Sequence, residues 1–497
     1  MSIEAKTNML LRETGLMERF NVVRNQVKFY NNVQVCATYT LPRPALQTLD
    51  LPGFTALIYS TLRETLEAQP ILNAVIEDED TPKPKWKRAE TIDLQEQVKF
   101  TEHDPSSSPD AWLTEGHSER LDRVDKLPAW RVRIGFLESD LSASEITTFS
   151  FILAFYGHHA IVDGVSCGVF HTTFLSALNK ILESPSSVIT TPLVRPSSTL
   201  QLLPSLEEAT PLPITLFFLL KTIIKTFIYN PPDRLNWSGP PVPSSLPTIT
   251  SNLRTFSLTP EELTSLLTIC RNNGTTLTSL ISVLTARKIA AMHPSHSHFT
   301  GVVPFSFRKF SGHDAKAMGV YVSSVIPHFA SESPTPKGYI PCGSAPGQEP
   351  DGGNEDLWES ARQTKDFLVA GSASPRDQMV GMLKYAGDMK SFFLGLFGKK
   401  RDHAFEVSNI GVVDGGIEDR VNRGTENQKA WFDKMVFSSG LCVYGDPFSV
   451  LVVSAKGGYL TVSVSWMSEV TIAEEGVQLC EYLEQWMKGL AKDNATM

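Results

Sequence analysis

The chain has 497 residues, 45 of them Lys or Arg and 54 Asp or Glu, for a formal net charge of −9. That length exceeds a single compact core and fits two domains of ordinary size, and 41% hydrophobic with 20% charged residues marks a folded globular protein rather than a disordered one. The acidic balance excludes nucleic acid as the main partner, because phosphate binding needs a basic face, so any anionic cofactor has to be met by a local cluster of cations.

At the N-terminus, MSIEAKTNMLLRETGLMERF carries charges throughout and lacks an apolar signal core, so a cytoplasmic, non-secreted protein is expected. Cys36, Cys167, Cys270, Cys342, Cys442 and Cys480 lie far apart, with no paired metal or redox spacing, which fits reduced thiols. Leu16, Phe20, Val23 and Val27 fall at helical spacing and predict an amphipathic helix over Leu11–Tyr30. Val33–Tyr39 alternates as a strand, Phe54–Leu66 reads as a second helix, and Ile71–Ile76 as a short strand. The basic run Lys83-Pro84-Lys85-Trp86-Lys87-Arg88 is read as a solvated loop, and Trp130–Phe136 as a half-exposed strand.

Phe149–Phe155 is short, aromatic-rich and uninterrupted, so it predicts a strand buried on both faces. It runs through Gly157 into His158-His159-Ala160-Ile161-Val162-Asp163-Gly164, followed by a helical pattern over Val169–Leu178. Of the 11 histidines, His159 alone has an aspartate four residues on. An imidazole titrates near neutrality and can take a proton and return it within one cycle, which is what acyl transfer to a hydroxyl demands. Asp163 is expected to fix the loop or the ring, and Gly164 to allow a substrate to approach closely. Cys167 reads as an ordinary core cysteine rather than a nucleophile.

Beyond a Ser/Thr/Pro-rich stretch comes the most apolar segment of the chain, Ile214–Tyr229, with Lys221 and Lys225 on one narrow face. Its 16 residues fall short of the ~20 that span a bilayer. Three readings stay open: a buried crossover helix, the wall of an acyl or acceptor channel, and a peripheral anchor at an endoplasmic reticulum or lipid-droplet surface. The Pro-rich connection that follows divides the chain into an N-terminal subdomain (1–205), a crossover (206–250) and a C-terminal subdomain (251–497). In the second half Leu253–Leu258 reads as a strand, Pro260–Cys270 and Thr276–Ala291 as helices, Val302–Arg308 as a strand, and Ala473–Leu490 as a final amphipathic helix. His293, His296 and His298 lack a neighbouring carboxylate or thiol and are not read as a metal site. Ser408-Asn409 interrupts an otherwise apolar strand without a packing reason.

HHAIVDG resembles the HHxxxDG signature of the acyl-CoA-dependent acyltransferases with the chloramphenicol acetyltransferase-like fold. Arg12-Glu13-Thr14-Gly15-Leu16-Met17-Glu18-Arg19-Phe20, Pro128-Ala129-Trp130-Arg131-Val132, Trp237-Ser238-Gly239 and Ser408-Asn409-Ile410-Gly411 are together similar to the fungal alcohol acetyltransferases within that superfamily. No DFGWG string of the plant branch is present, and Val413-Asp414-Gly415-Gly416 is no substitute. The resemblance implies an α/β (α+β) fold of two subdomains, each a mixed sheet flanked by helices, with an active-site tunnel between them. Acetyl-CoA would enter one mouth and a small alcohol or hydroxylated secondary metabolite the other. His159 would be the general base of a direct transfer, His158 structural, and Asp163 paired with an arginine, for which Arg308 is the candidate. Oxyanion donors would come from the Gly164 and Gly411 amides or from Ser408 and Asn409, and coenzyme phosphates would meet Lys399, Lys400 and Arg401. A monomer without a metal is expected. N-acylation of an amine, and a non-catalytic membrane-associated binder of hydrophobic ligands, are the alternatives.

Overall fold

The computed structural model describes residues 9–42, 50–142, 148–184, 188–224, 234–246, 250–343, 355–417, 429–440 and 442–495. Four strands of the first third, β1 (Val33–Pro42), β2 (Val98–Glu102), β3 (Trp130–Phe136) and β4 (Thr148–Gly157), share one sheet. β4 lies at its centre, antiparallel to β1 and β3, with Gly157 opposite both Val33 and Trp130. Phe149, Phe151 and Phe155 are all but fully buried, and burial of each such ring contributes about 1.5–3 kcal/mol. Helices α1 (Leu16–Gln26), α2 (Leu51–Ala68) and α3 (Gly164–Glu183) belong to this lobe. The motif aspartate starts α3, since the Asp163 side chain accepts from the Ser166 N–H as N-cap.

A second sheet of nine strands among the described residues carries the other lobe. Its strands are β5 (Ser251–Leu258), β6 (His298–Ser306), β7 (Val322–Val325), β8 (His328–Ala330), β9 (Ile340–Pro341) and β10 (Phe405–Val413), then β12 (Phe448–Ala455) and β13 (Leu460–Met467), with a short strand at Asn236–Trp237. The main path runs β5-β13-β12-β10-β6-β8-β9. Between β10 and β12 in the chain, β11 (Trp431–Ser439) crosses back and pairs antiparallel with β1, closing the edge of the first sheet. Helices α5 (Pro260–Asn272), α6 (Leu277–Met292), α7 (Glu355–Ser372) and a C-terminal helix (Ala473–Ala495) contribute the apolar partners of the second core. Each lobe thus has its own core, and strand β11 stitches them.

Two local expectations change. The basic run at 83–88 is not a loop: Lys85–Arg88 is a strand, because Trp86 is fully buried and its indole N–H donates to Glu18 at 2.9 Å, while Lys85 and Lys87 pair with Asp78 and Glu77. The apolar helix, α4, is described over Leu216–Ile223 and none of those residues is buried, so the core-crossover reading falls. Leu216 is 70% and Phe217 79% exposed. The rest of Ile214–Tyr229, from residue 225 on, lies outside the described residues. No helix is long and apolar enough among the described residues to cross a membrane.

Candidate active site

The loop between β4 and α3 is gripped from the other lobe. Arg308, just past the end of β6 rather than within it, donates to both Asp163 oxygens, at 2.7 and 3.1 Å. It also donates to Ser166 Oγ at 2.8 Å and to the Gly319 carbonyl at 3.0 Å. Asp163 further accepts from the Ser166 and Tyr321 N–H groups, at 2.8 and 3.0 Å. Burial by itself would raise the Asp163 pKa; the Arg308 guanidinium outweighs it and holds the carboxyl below its usual range. With four donors directed at it and no hydrogen bond to the His159 ring, Asp163 fixes the loop rather than the imidazole.

His158 is buried, with Nδ1 accepting from the Ala160 N–H at 2.9 Å, and burial pushes its pKa down to about 3. His159 is half-buried at the seam between the lobes, its carbonyl held by Asn21 of α1 at 3.0 Å and its ring 5.8 Å from that of Tyr30. Burial, then the nearby Arg24 guanidinium, push the His159 pKa down to about 4. The imidazole is therefore neutral at pH 7, the form a base needs. Nδ1 is its buried nitrogen and makes no hydrogen bond.

Because an ordinary histidine titrates near 6.5, the acid limb of kcat/KM should fall well below that value, towards about 4, with activity lost as His159 gains its proton. A limb centred at the ordinary histidine value would contradict this environment. The buried imidazoles of His117 and His171, at about 3 and 4, act on stability in the same sense. Their folded pKa values lie below the unfolded one, so their contribution is complete above pH ~6.5 and is lost as pH falls towards the folded values.

On the facing lobe, Phe405 and Val407 point into the second core, so strand alternation turns Glu406, Ser408 and Ile410 to the opposite face, where Ile410 packs against the first core. Gly164 is where the lobes touch: a Cβ there would lie 2.5 Å from Ile410 Cγ2 and 3.0 Å from Phe437 Cζ. The close approach expected at Gly164 is thus to protein, not to substrate, since those side chains fill the space. Gly164→Ala is expected to destabilise by about 1–3 kcal/mol in urea unfolding, as overpacking does.

The other expected residues divide. The Gly411 N–H is occupied by Asn409 Oδ1 at 2.8 Å, and Asn409 Nδ2 donates to Thr278 of α6 at 3.1 Å. Both therefore shape the irregularity in β10, where Gly411 takes φ +83°, and neither is a free oxyanion donor. Ser408 remains on the facing side of β10. Arg401 is buried and donates to the carbonyls of Pro240, Val443 and Gly445 at 2.9, 2.8 and 2.6 Å, so it braces the chain and is not available to a coenzyme phosphate. Lys399 and Lys400 are exposed. Cys167 is fully buried and its thiol is pushed well above the usual range. His293 stacks on Trp237 and His298 bonds Glu332, with no metal-type cluster among the described residues. Residues that the sequence did not single out include Arg24, Tyr30, Glu406 and Tyr444; nothing in their local sequence marks them.

Two lobes, with a buried aspartate–arginine pair between them at the end of a central strand, make up the chloramphenicol acetyltransferase-like, condensation-domain fold. Solved structures of this fold resemble the chain along its length. One is the TRI3 trichothecene 15-O-acetyltransferase from Fusarium sporotrichioides (TM-score 0.73, 11% identity, 96% of this chain and 95% of that one). Another is the first condensation domain of the CDA synthetase (TM-score 0.58, 13% identity, 97% of each chain). The alcohol acetyltransferase family matches residues 121–487, and the chain belongs to that family. It is 24% identical to the probable alcohol acetyltransferase FCK4 of Fusarium pseudograminearum, over 97% of this chain and 96% of that protein. It is 26% identical to the probable alcohol acetyltransferase crmB of Aspergillus fumigatus, over 92% and 95%. The chain is an acyltransferase, and membership implies an acyl-CoA co-substrate.

Proposed function

We propose that the protein moves an acetyl group from acetyl-CoA directly to the hydroxyl of an alcohol or hydroxylated secondary metabolite. The observation that carries this reading is the neutral, half-buried His159 ring at the lobe seam, on a loop fixed from both sides. Nε2 takes the acceptor proton as oxygen attacks the thioester carbon, and returns it to the departing thiolate. The collapsing intermediate's oxygen is met by the Ser408 hydroxyl. Donor and acceptor reach the ring along the seam between lobes. A cleft of about 10 Å³, room for a single water, is lined by residues including Arg12, Glu18, Met318 and Tyr321 but not by His159; the passage itself belongs to the proposal. Lys399 and Lys400, the latter donating also to the Asn236 carbonyl at 2.8 Å, are the remaining candidates for coenzyme phosphates.

Purified protein with acetyl-CoA and a panel of alcohols should release thiol and yield the matching acetate esters. Thiol release only with amines would replace the alcohol by an amine acceptor, and none with any nucleophile would leave a binder.

The exposed Leu216, Phe217, Leu220 and Ile224, with Lys221 among them, favour peripheral contact with a membrane or lipid-droplet surface. Phe217→Glu combined with Leu220→Glu should then reduce co-sedimentation with anionic vesicles. Equal sedimentation of parent and variant would remove that contact.

A further inference from the structure

Arg24, in the last turn of α1, is a guanidinium without a carboxylate partner, its side-chain hydrogen bond going to the neutral Tyr444 hydroxyl. It is half-buried, its carbon sits 4.1 Å over the Tyr30 ring, and its Nε is buried without a hydrogen bond. No carboxylate of the described residues lies within ion-pair distance of it. A cation placed so far out of water is costly unless something hydrogen-bonds to it. Its ring neighbour Tyr30 is also the ring neighbour of His159, and Arg24 is the charge that acts most strongly on that histidine. The Tyr30 hydroxyl is fixed to Ser439 at the end of β11, 2.6 Å away. Across the seam stands Glu406, near enough to feel Arg24 but not paired with it.

We infer that Arg24 is the specificity-determining residue of the acceptor pocket, donating hydrogen bonds to a carbonyl or carboxylate oxygen that the acceptor carries in addition to the hydroxyl being acylated. This rests on the function proposed above and narrows it: the acceptor is an oxygen-rich alcohol rather than a plain alkanol. The diphosphate of a coenzyme A donor is held away from its thioester by the whole pantetheine arm, too far to reach a guanidinium in the immediate surroundings of the histidine. That leaves an oxygen near the reacting centre, and one on the acceptor, unlike the thioester oxygen common to every reaction, makes Arg24 discriminate between alcohols. Glu406 makes the opposite wall polar too. Burial and the adjacent Asp446 push its carboxyl up to about 7, so near neutrality it offers both a donor and an acceptor.

The test compares kcat/KM for cyclohexanol with that for regioisomeric hydroxycyclohexanones and hydroxycyclohexanecarboxylates, the two oxygenated series separating a neutral carbonyl from a carboxylate. At least one oxygenated alcohol should exceed cyclohexanol by about tenfold or more, as one hydrogen bond to a charged donor gives. Arg24→Met should collapse that ratio towards one, with Arg24→Lys in between. A wild-type enzyme that uses cyclohexanol as well as every oxygenated partner overturns the inference and leaves the acyltransferase reading intact. So does a methionine variant that slows all alcohols by one factor, which would move Arg24 to the thioester oxygen. Because the wild-type ratio needs no variant, the inference is tested even where Arg24→Met fails to fold. Thiol release with none of the alcohols overturns the proposed function, and this inference with it.

Discussion

Replacing His159 by alanine is expected to lower kcat by about a hundred- to ten-thousand-fold, the contribution of a positioned general base, while KM for acetyl-CoA changes little. The hydroxyl of an alcohol is a poor nucleophile until its proton has somewhere to go, and the proposed function gives that task to the neutral His159 imidazole. His158 does not substitute, since its Nδ1 is spent on the Ala160 N–H and the ring is buried. Alanine removes the ring without disturbing the grip on the loop, because Asn21 holds the backbone carbonyl of residue 159, not its side chain. Steady-state kinetics with an active alcohol, and circular dichroism to confirm the fold, check the prediction.

Arg308→Met is expected to cost about 3–5 kcal/mol of stability, the usual effect of removing one partner of a buried ion pair. Both side chains are under one-tenth exposed, at 8% and 6%, and the arginine also satisfies Ser166 and Gly319. Its loss leaves a buried carboxylate held only by neutral N–H groups, so the Asp163 pKa should rise and the loop carrying His159 should loosen. Urea unfolding measures the first effect and kcat the second. Asp163→Leu combined with Arg308→Met should be less destabilised than Arg308→Met alone, because no unpaired charge remains.

The motif end of the fold was open to sequence reasoning for local reasons. An aromatic strand with no polar interruption can only be interior, and an aspartate ahead of an apolar-periodic run caps a helix. The same reading stops where partners are distant in the chain. β11 lies hundreds of residues from β1, and its own sequence says nothing of which sheet it joins. Lys399-Lys400-Arg401 looks like one basic tip, but Arg401 folds under it onto three carbonyls that local composition cannot reveal. Trp86 among four basic neighbours looks solvated until Glu18, brought by α1, accepts its indole proton. Ser408 and Asn409 are adjacent and similar, but strand alternation sends one to the seam and the other to Thr278. Arg24 is hidden for the same reason: a cation in a helix's last turn is ordinary, and only the folded chain brings it near His159 and Glu406.

Direct transfer without an acylated protein is the core of this account, and intact mass of the enzyme mixed with acetyl-CoA alone reads it most plainly. The chain should keep its mass, with thiol appearing only once an alcohol is added. A chain heavier by one acetyl group, formed in a burst of thiol before any acceptor is present, would mean that a protein nucleophile attacks first and that His159 does not activate the alcohol against the thioester.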